Sequence, residues 1–119
     1  MLVDTSVWID HLRRGNPSLI SALETGEVWC HPFVLGEVAC GNLRNREEIL
    51  SLLDALPQPP MATEEEALKL LEEKHLMGRG LGWIDIHLLG SALLAGIPLW
   101  TLDRPLEAAA GDLGVEALT

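Results

Sequence analysis

Met1-Leu2-Val3-Asp4-Thr5-Ser6-Val7-Trp8-Ile9-Asp10-His11-Leu12-Arg13-Arg14-Gly15 changes character after its third residue, and the rest of the chain repeats that change. Leu2-Val3 reads as a short buried strand. Thr5 or Ser6 can cap a helix running from Val7 to about Arg14, with Gly15 as its stop. Asn16-Pro17 opens a second helix, because proline suits the first turn, and Gly26 closes it. Val28-Trp29-Cys30 is a second strand, and Pro32 starts a helix that carries Glu37 and ends near Gly41. Arg46 to Ala55 is a further amphipathic helix. Pro57-Gln58-Pro59-Pro60 breaks it, too briefly to divide two cores, with room for an extended piece after it.

Thr63-Glu64-Glu65-Glu66 has the spacing of a capping box, and its acids suit the positive end of a helix dipole; that helix is expected to run to about Met77 and stop at Gly78. Trp83 to Ala95 is the most apolar helix, with Gly96 as its stop. Ile97 to Thr101 reads as a strand, Arg104 to Ala110 as a short helix and Val115 to Leu118 as a last strand. Strands separated by helices require right-handed crossovers, so the fold class is α/β: one domain over residues 1–119, with a central, mainly parallel sheet flanked by helices. In such sheets ligands lie beyond the C-terminal strand ends, where Asp4 and Asp103 both fall.

The 119 residues, 48% of them hydrophobic, supply one core. A formal charge of −10, from 18 acids against 8 bases, is a poor basis for gripping nucleic acid by backbone charge alone and suits a metal or a basic partner. The N-terminus reads without a signal peptide. The apolar window Leu81–Trp100 is no membrane span, because Asp85 inside it would cost roughly 2.5–3.5 kcal/mol. Cys30 and Cys40 form no metal or redox spacing and read as thiols in a reducing cytoplasm.

Four acids stand at the ends of apolar runs: Asp4, Glu37, Asp85 and Asp103. Two like charges 4 Å apart at an effective dielectric near 20 repel by ~4 kcal/mol, so a shared site must take up protons or cations. Each acid also has a plainer use. Asp4 can cap the first helix, Glu37 can sit exposed, Asp85 can serve a helix dipole, and Asp103 can cap a turn. Ser6 can touch a metal-bound water or phosphate, or simply cap. Asp10 lies four residues before Arg14, the spacing of a surface ion pair. Arg13, Arg14, Arg44, Arg46, Arg79 and Arg104 can supply local phosphate contacts or solvate the surface. The tryptophans read as core or contact residues, and His87 as structural.

The stretches VDTSVWIDHLR around Asp4, GEVACG around Glu37, WIDIHLLGSALL around Asp85 and LWTLDRPLE around Asp103 resemble the PIN-domain nucleases, most closely the VapC-type ribonuclease toxins of bacterial toxin–antitoxin pairs. The likeness covers nearly the whole chain and keeps the order of all four acids. It implies an endoribonuclease dependent on Mg²⁺ or Mn²⁺, leaving a 3′-hydroxyl and a 5′-phosphate. It also implies an RNA substrate, a cognate protein antitoxin and a homodimer. Chemistry suggests a division of labour: Asp4, Asp85 and Asp103 at the metal, and Glu37 on the water. A catalytically silent interaction module on the same fold is the alternative. An aspartate-based phosphatase is less well supported, since Ser6 stands where such enzymes place a second aspartate; a receiver domain lacks its lysine, none lying beyond Lys74.

Overall fold

The computed structural model describes residues 1–117. Two strands, β1 (Leu2–Val3) and β2 (Leu99–Trp100), pair in parallel with Leu2 opposite Leu99 and Val3 opposite Trp100. Seven helices surround them among the described residues: α1 (Thr5–Arg14), α2 (Pro17–Glu24), α3 (Pro32–Ala39), α4 (Arg46–Ala55), α5 (Glu64–Glu73), α6 (Trp83–Ala95) and α7 (Arg104–Asp112). The α/β class stands, but the sheet is thinner than expected. The strand expected at Val28–Cys30 is one parallel bridge, Trp29 to Leu2, held by Trp29 N–H to Met1 O at 2.8 Å. The strand expected at Val115–Leu118 is a bridge from Glu116 to Leu99; Leu118 lies outside the described residues. Ile97–Thr101 contracts to two residues, because Pro98 has no N–H to give and the chain bends at Leu102 just beyond Thr101.

The four extended segments lie in the order Trp29, β1, β2, Glu116, all parallel. The chain therefore leaves β1 toward one edge and leaves β2 toward the other. That reversal opens a crevice at the carboxyl ends of β1 and β2. Asp4 follows β1 directly, and Thr101 to Asp103 follow β2.

Several helix ends differ from expectation for local reasons. The first helix begins at Thr5, since Asp4, not Thr5 or Ser6, is its cap. Asn16 caps α2 by accepting the Leu19 N–H at 3.0 Å, as Asn-Pro predicts. The capping box at Thr63 and Glu66 forms with bonds of 3.0 and 3.1 Å. Its helix stops at Glu73 and does not reach Met77. His75 adopts φ 52°, and Leu76 N–H bonds back to Leu71 O at 3.0 Å, a wrap that buries Leu76. The last helix reaches Asp112, beyond Ala110. Among the described residues, 57–63 at and after the proline break carry no strand, and α5 begins at Glu64.

One core joins β1, β2, the buried face of α1 and most of α6. Trp8 and Trp100 lie in it, whereas Trp83 is 42% exposed and so is no core residue. It lies edge-on to His87 at 4.7 Å and leaves its other side to solvent. Among the described residues no helix is long and apolar enough to cross a membrane.

Candidate active site

Asp4 is 6% exposed and has no ion-pair partner among the described residues. Hydrogen bonds converge on one of its oxygens. Ser6 Oγ and Thr101 Oγ1 each donate to Oδ2 at 2.7 Å, and the Ser6 N–H approaches it at 3.4 Å. Thr101 Oγ1 accepts the Asp103 N–H at 3.0 Å, and Ser6 Oγ accepts the Leu102 N–H at 2.9 Å. The backbone after β2 is thereby laced to the start of α1 through two hydroxyls. Asp4 N–H also donates to Trp100 O at 2.9 Å, so the lacing continues the β1–β2 ladder.

The other three acids are anchored in the same half-and-half way. Glu37 Oε1 accepts from Thr5 Oγ1 at 2.7 Å, which ties α3 to the first residue of α1. Asp85 Oδ2 accepts the Gly82 N–H at 2.8 Å in the first turn of α6. Asp103 Oδ2 accepts the Leu106 N–H at 3.2 Å as the cap of α7. In each of the four carboxylates one oxygen is held, and the second takes no bond from the described residues. The positive ends of α1, α6 and α7 all face their own acid, which offsets part of the local negative charge.

Electrostatics join the four. Burial raises the pKa of Asp85, the Gly82 amide opposes that, and the negative charges of Asp4, Asp103 and Glu37 raise it further. A carboxyl that feels the other three shares their neighbourhood. The donor set of free carboxylate oxygens with hydroxyls behind them suits a hard divalent cation. Among the described residues, no three acidic, histidine or cysteine side chains stand close enough to clasp one ion directly. A cation at this mouth would be held partly through water, as magnesium commonly is.

Two supporting residues escaped the reading of the sequence: Thr101, which holds Asp4, and Thr5, which holds Glu37. Their partners lie 97 and 32 positions away, so the only local signal is a polar residue at a strand end or helix start. His31 is a third. Its Nδ1 accepts the Phe33 N–H at 2.9 Å and so caps the helix carrying Glu37. Burial and then neighbouring His87 push its pKa down to about 4, which keeps the ring neutral and able to accept. His87 itself is buried against Phe33 and Trp83, in a structural place. Asp10 pairs with Arg14 at 2.6 Å, one helical turn along α1, the ion pair expected from their spacing. Arg46 bonds the carbonyls of Ala39 and Gly41, and Arg79 pairs with Asp112.

The model of the PIN domain matches residues 1–112, a span that includes all four acids. The protein called Ribonuclease VapC32, from two strains of Mycobacterium tuberculosis (CDC 1551 / Oshkosh and ATCC 25618 / H37Rv), is 47% identical over 116 residues. That alignment covers 97% of this chain and 94% of the relative. The crevice of carboxylates at the β1–β2 switch and the match along its whole frame lead to one assignment: this chain belongs to the PIN-domain family, among its VapC-type members.

Proposed function

We propose that the chain is a divalent-metal-dependent endoribonuclease and the toxin half of a type II toxin–antitoxin pair. The observation that carries this reading is the set of four carboxylates, each with one oxygen anchored and one left open, coupled electrically at Asp85. The 47% identity to a protein named as a VapC ribonuclease supports it. In this reading Asp4, Asp85 and Asp103 hold Mg²⁺ or Mn²⁺, and Glu37 orients the attacking water. The ion supplies Lewis acidity at the phosphate and lowers the pKa of water.

The chain's own residues do the positioning. Ser6 and Thr101 fix the Asp4 carboxylate, so that its open oxygen cannot swing away as charge builds. Thr5 holds Glu37 in place from α1. The N-terminal ends of α6 and α7 lend partial positive charge at the mouth, where a phosphate must approach four acids. The protein acts in the cytoplasm as a homodimer, and its antitoxin silences it by covering the acidic mouth with a basic segment.

The test is cleavage of total cellular RNA by purified protein, with magnesium and with chelator, for wild type beside Asp4→Asn. The reading requires cuts that need the metal and vanish in the variant. Full activity of Asp4→Asn, or silence of the wild type on every RNA with magnesium present, overturns it.

A further inference from the structure

A groove of about 500 Å³ lies between the second half of α1 and the loop that joins α3 to α4. Its floor is apolar, formed by Ile9, Leu12 and Ile49, and its edge carries Arg13 and Arg44 with the carboxamides of Asn42 and Asn45. Neither arginine makes an ion pair or side-chain hydrogen bond among the described residues. Most other cations are engaged: Arg14 with Asp10, Lys69 with Glu73, Arg79 with Asp112, and Arg46 with two carbonyls. In a chain of net charge −10, two free guanidiniums on one groove are a local reversal of sign.

The loop bearing Arg44 is held in place. Arg46 donates to Ala39 O at 2.6 Å and to Gly41 O at 3.2 Å, while Asn45 takes the left-handed conformation at φ 53°. At the acidic mouth α1 carries Thr5, and α3, the helix that leads into this loop, carries Glu37. Arg13 lies eight residues along α1 from Thr5, about 12 Å at 1.5 Å per residue. A stacked strand rising ~3.4 Å per nucleotide covers that distance in about four nucleotides.

We propose that this groove is a subsite for single-stranded RNA, seating a phosphate on Arg13 and Arg44 and a base on the apolar floor beside Asn42 and Asn45. The groove offers donors and an apolar face, and a nucleotide offers an anion, base-edge acceptors and a flat ring. The assignment rests on the ribonuclease reading for its occupant. It explains how an acidic protein holds an anionic polymer: a short basic clamp grips the strand at a distance from the carboxylates.

The experiment is binding of a short fluorescent single-stranded RNA to the full chain in chelator, across a salt series. The paired substitution Arg13→Ala/Arg44→Ala is compared with Lys69→Ala/Lys74→Ala, which removes the same charge elsewhere. Loss of that phosphate contact lowers the slope of log K against log salt by about 0.7 and weakens binding roughly tenfold or more, with a much smaller effect from the lysine pair. Equal effects from both pairs, wild-type binding by the arginine pair, or no RNA binding by the wild type overturns the subsite. So does a polyglutamate peptide that binds as tightly as RNA and suffers the same loss, since the groove is then a site for acidic protein segments. Cleavage with magnesium, run beside it, tests the enzyme separately. A reduced slope without cleavage sinks the nuclease and keeps the groove, and cleavage with an unchanged slope does the reverse.

Discussion

Asp4 and Asp103 are helix caps and, in the proposed function, metal acids at once; the two uses do not compete, because a carboxylate has two oxygens. One oxygen satisfies orphan amides or hydroxyls, which fixes the rotamer, and the second is left for a ligand. Thr101 tests this logic most directly. Thr101→Val keeps the shape but removes the donor to Asp4 and the acceptor for the Asp103 amide. Cleavage should fall roughly 10- to 100-fold, as for other groups that orient metal ligands, with the magnesium requirement moved to higher concentration. A magnesium titration of cleavage rate checks it. Asp85 gives a second prediction. Its raised pKa means that, between the ordinary carboxylate range and the folded value, the native state holds a proton the unfolded chain has released. Without metal, stability therefore falls as pH rises through that interval and stays reduced at neutral pH. Asp85→Asn keeps an acceptor for Gly82 and sheds the charge, so the metal-free variant should melt above wild type at neutral pH. The gap should close on acidification below the ordinary aspartate range, which melting curves across pH will show. The four acids were legible in the sequence because a charge at the end of an apolar run is locally conspicuous. Thr5 and Thr101 were not, because their meaning lies in partners far along the chain.

At the scale of elements, legibility followed the range of the forces that define each one. Helices bounded by local chemistry were readable to the residue: Asn16-Pro17 at α2, Thr63 with Glu66 at α5, and Gly96 at φ 65° after α6. The end of α5 was not. It is set by burial of Leu76, which forces a left-handed turn on His75 where a glycine would be expected. The strands were readable in place but not in length, since pairing depends on register between segments nearly a hundred residues apart. Close helix packing also leaves few marks on a sequence. Gly90 sits in the buried middle of α6, where an added Cβ would stand 3.0 Å from the Ala62 side chain at the entry to α5. Gly90→Val pushes that wall apart and should cost about 1–3 kcal/mol. Urea unfolding should show a lower midpoint with an unchanged slope. An unshifted midpoint means that the entry to α5 yields freely.

Across the whole molecule, the charge of −10 has two components that respond differently to cations. Acids spread over the surface repel one another weakly, and any salt screens them within about 10 Å at 0.1 M. The four at the mouth of the sheet form a local trap, and a divalent ion bound there stabilises only the folded chain. At a free concentration a hundred times its dissociation constant, such an ion adds about 2.7 kcal/mol. For a domain of this size that corresponds to roughly 10 °C in melting temperature. Magnesium should therefore raise the melting temperature well beyond sodium chloride at the same ionic strength, and chelator should reverse the gain. In Asp4→Asn the magnesium-specific part should shrink, while the part shared with sodium persists, because nine of the ten net charges remain. If magnesium and sodium act alike on the wild type, the carboxylates do not cooperate on one ion, and the metal assignment fails whatever the sequence resembles. If the difference survives in Asp4→Asn, the ion is held elsewhere, and Asp4 is only the cap of its helix.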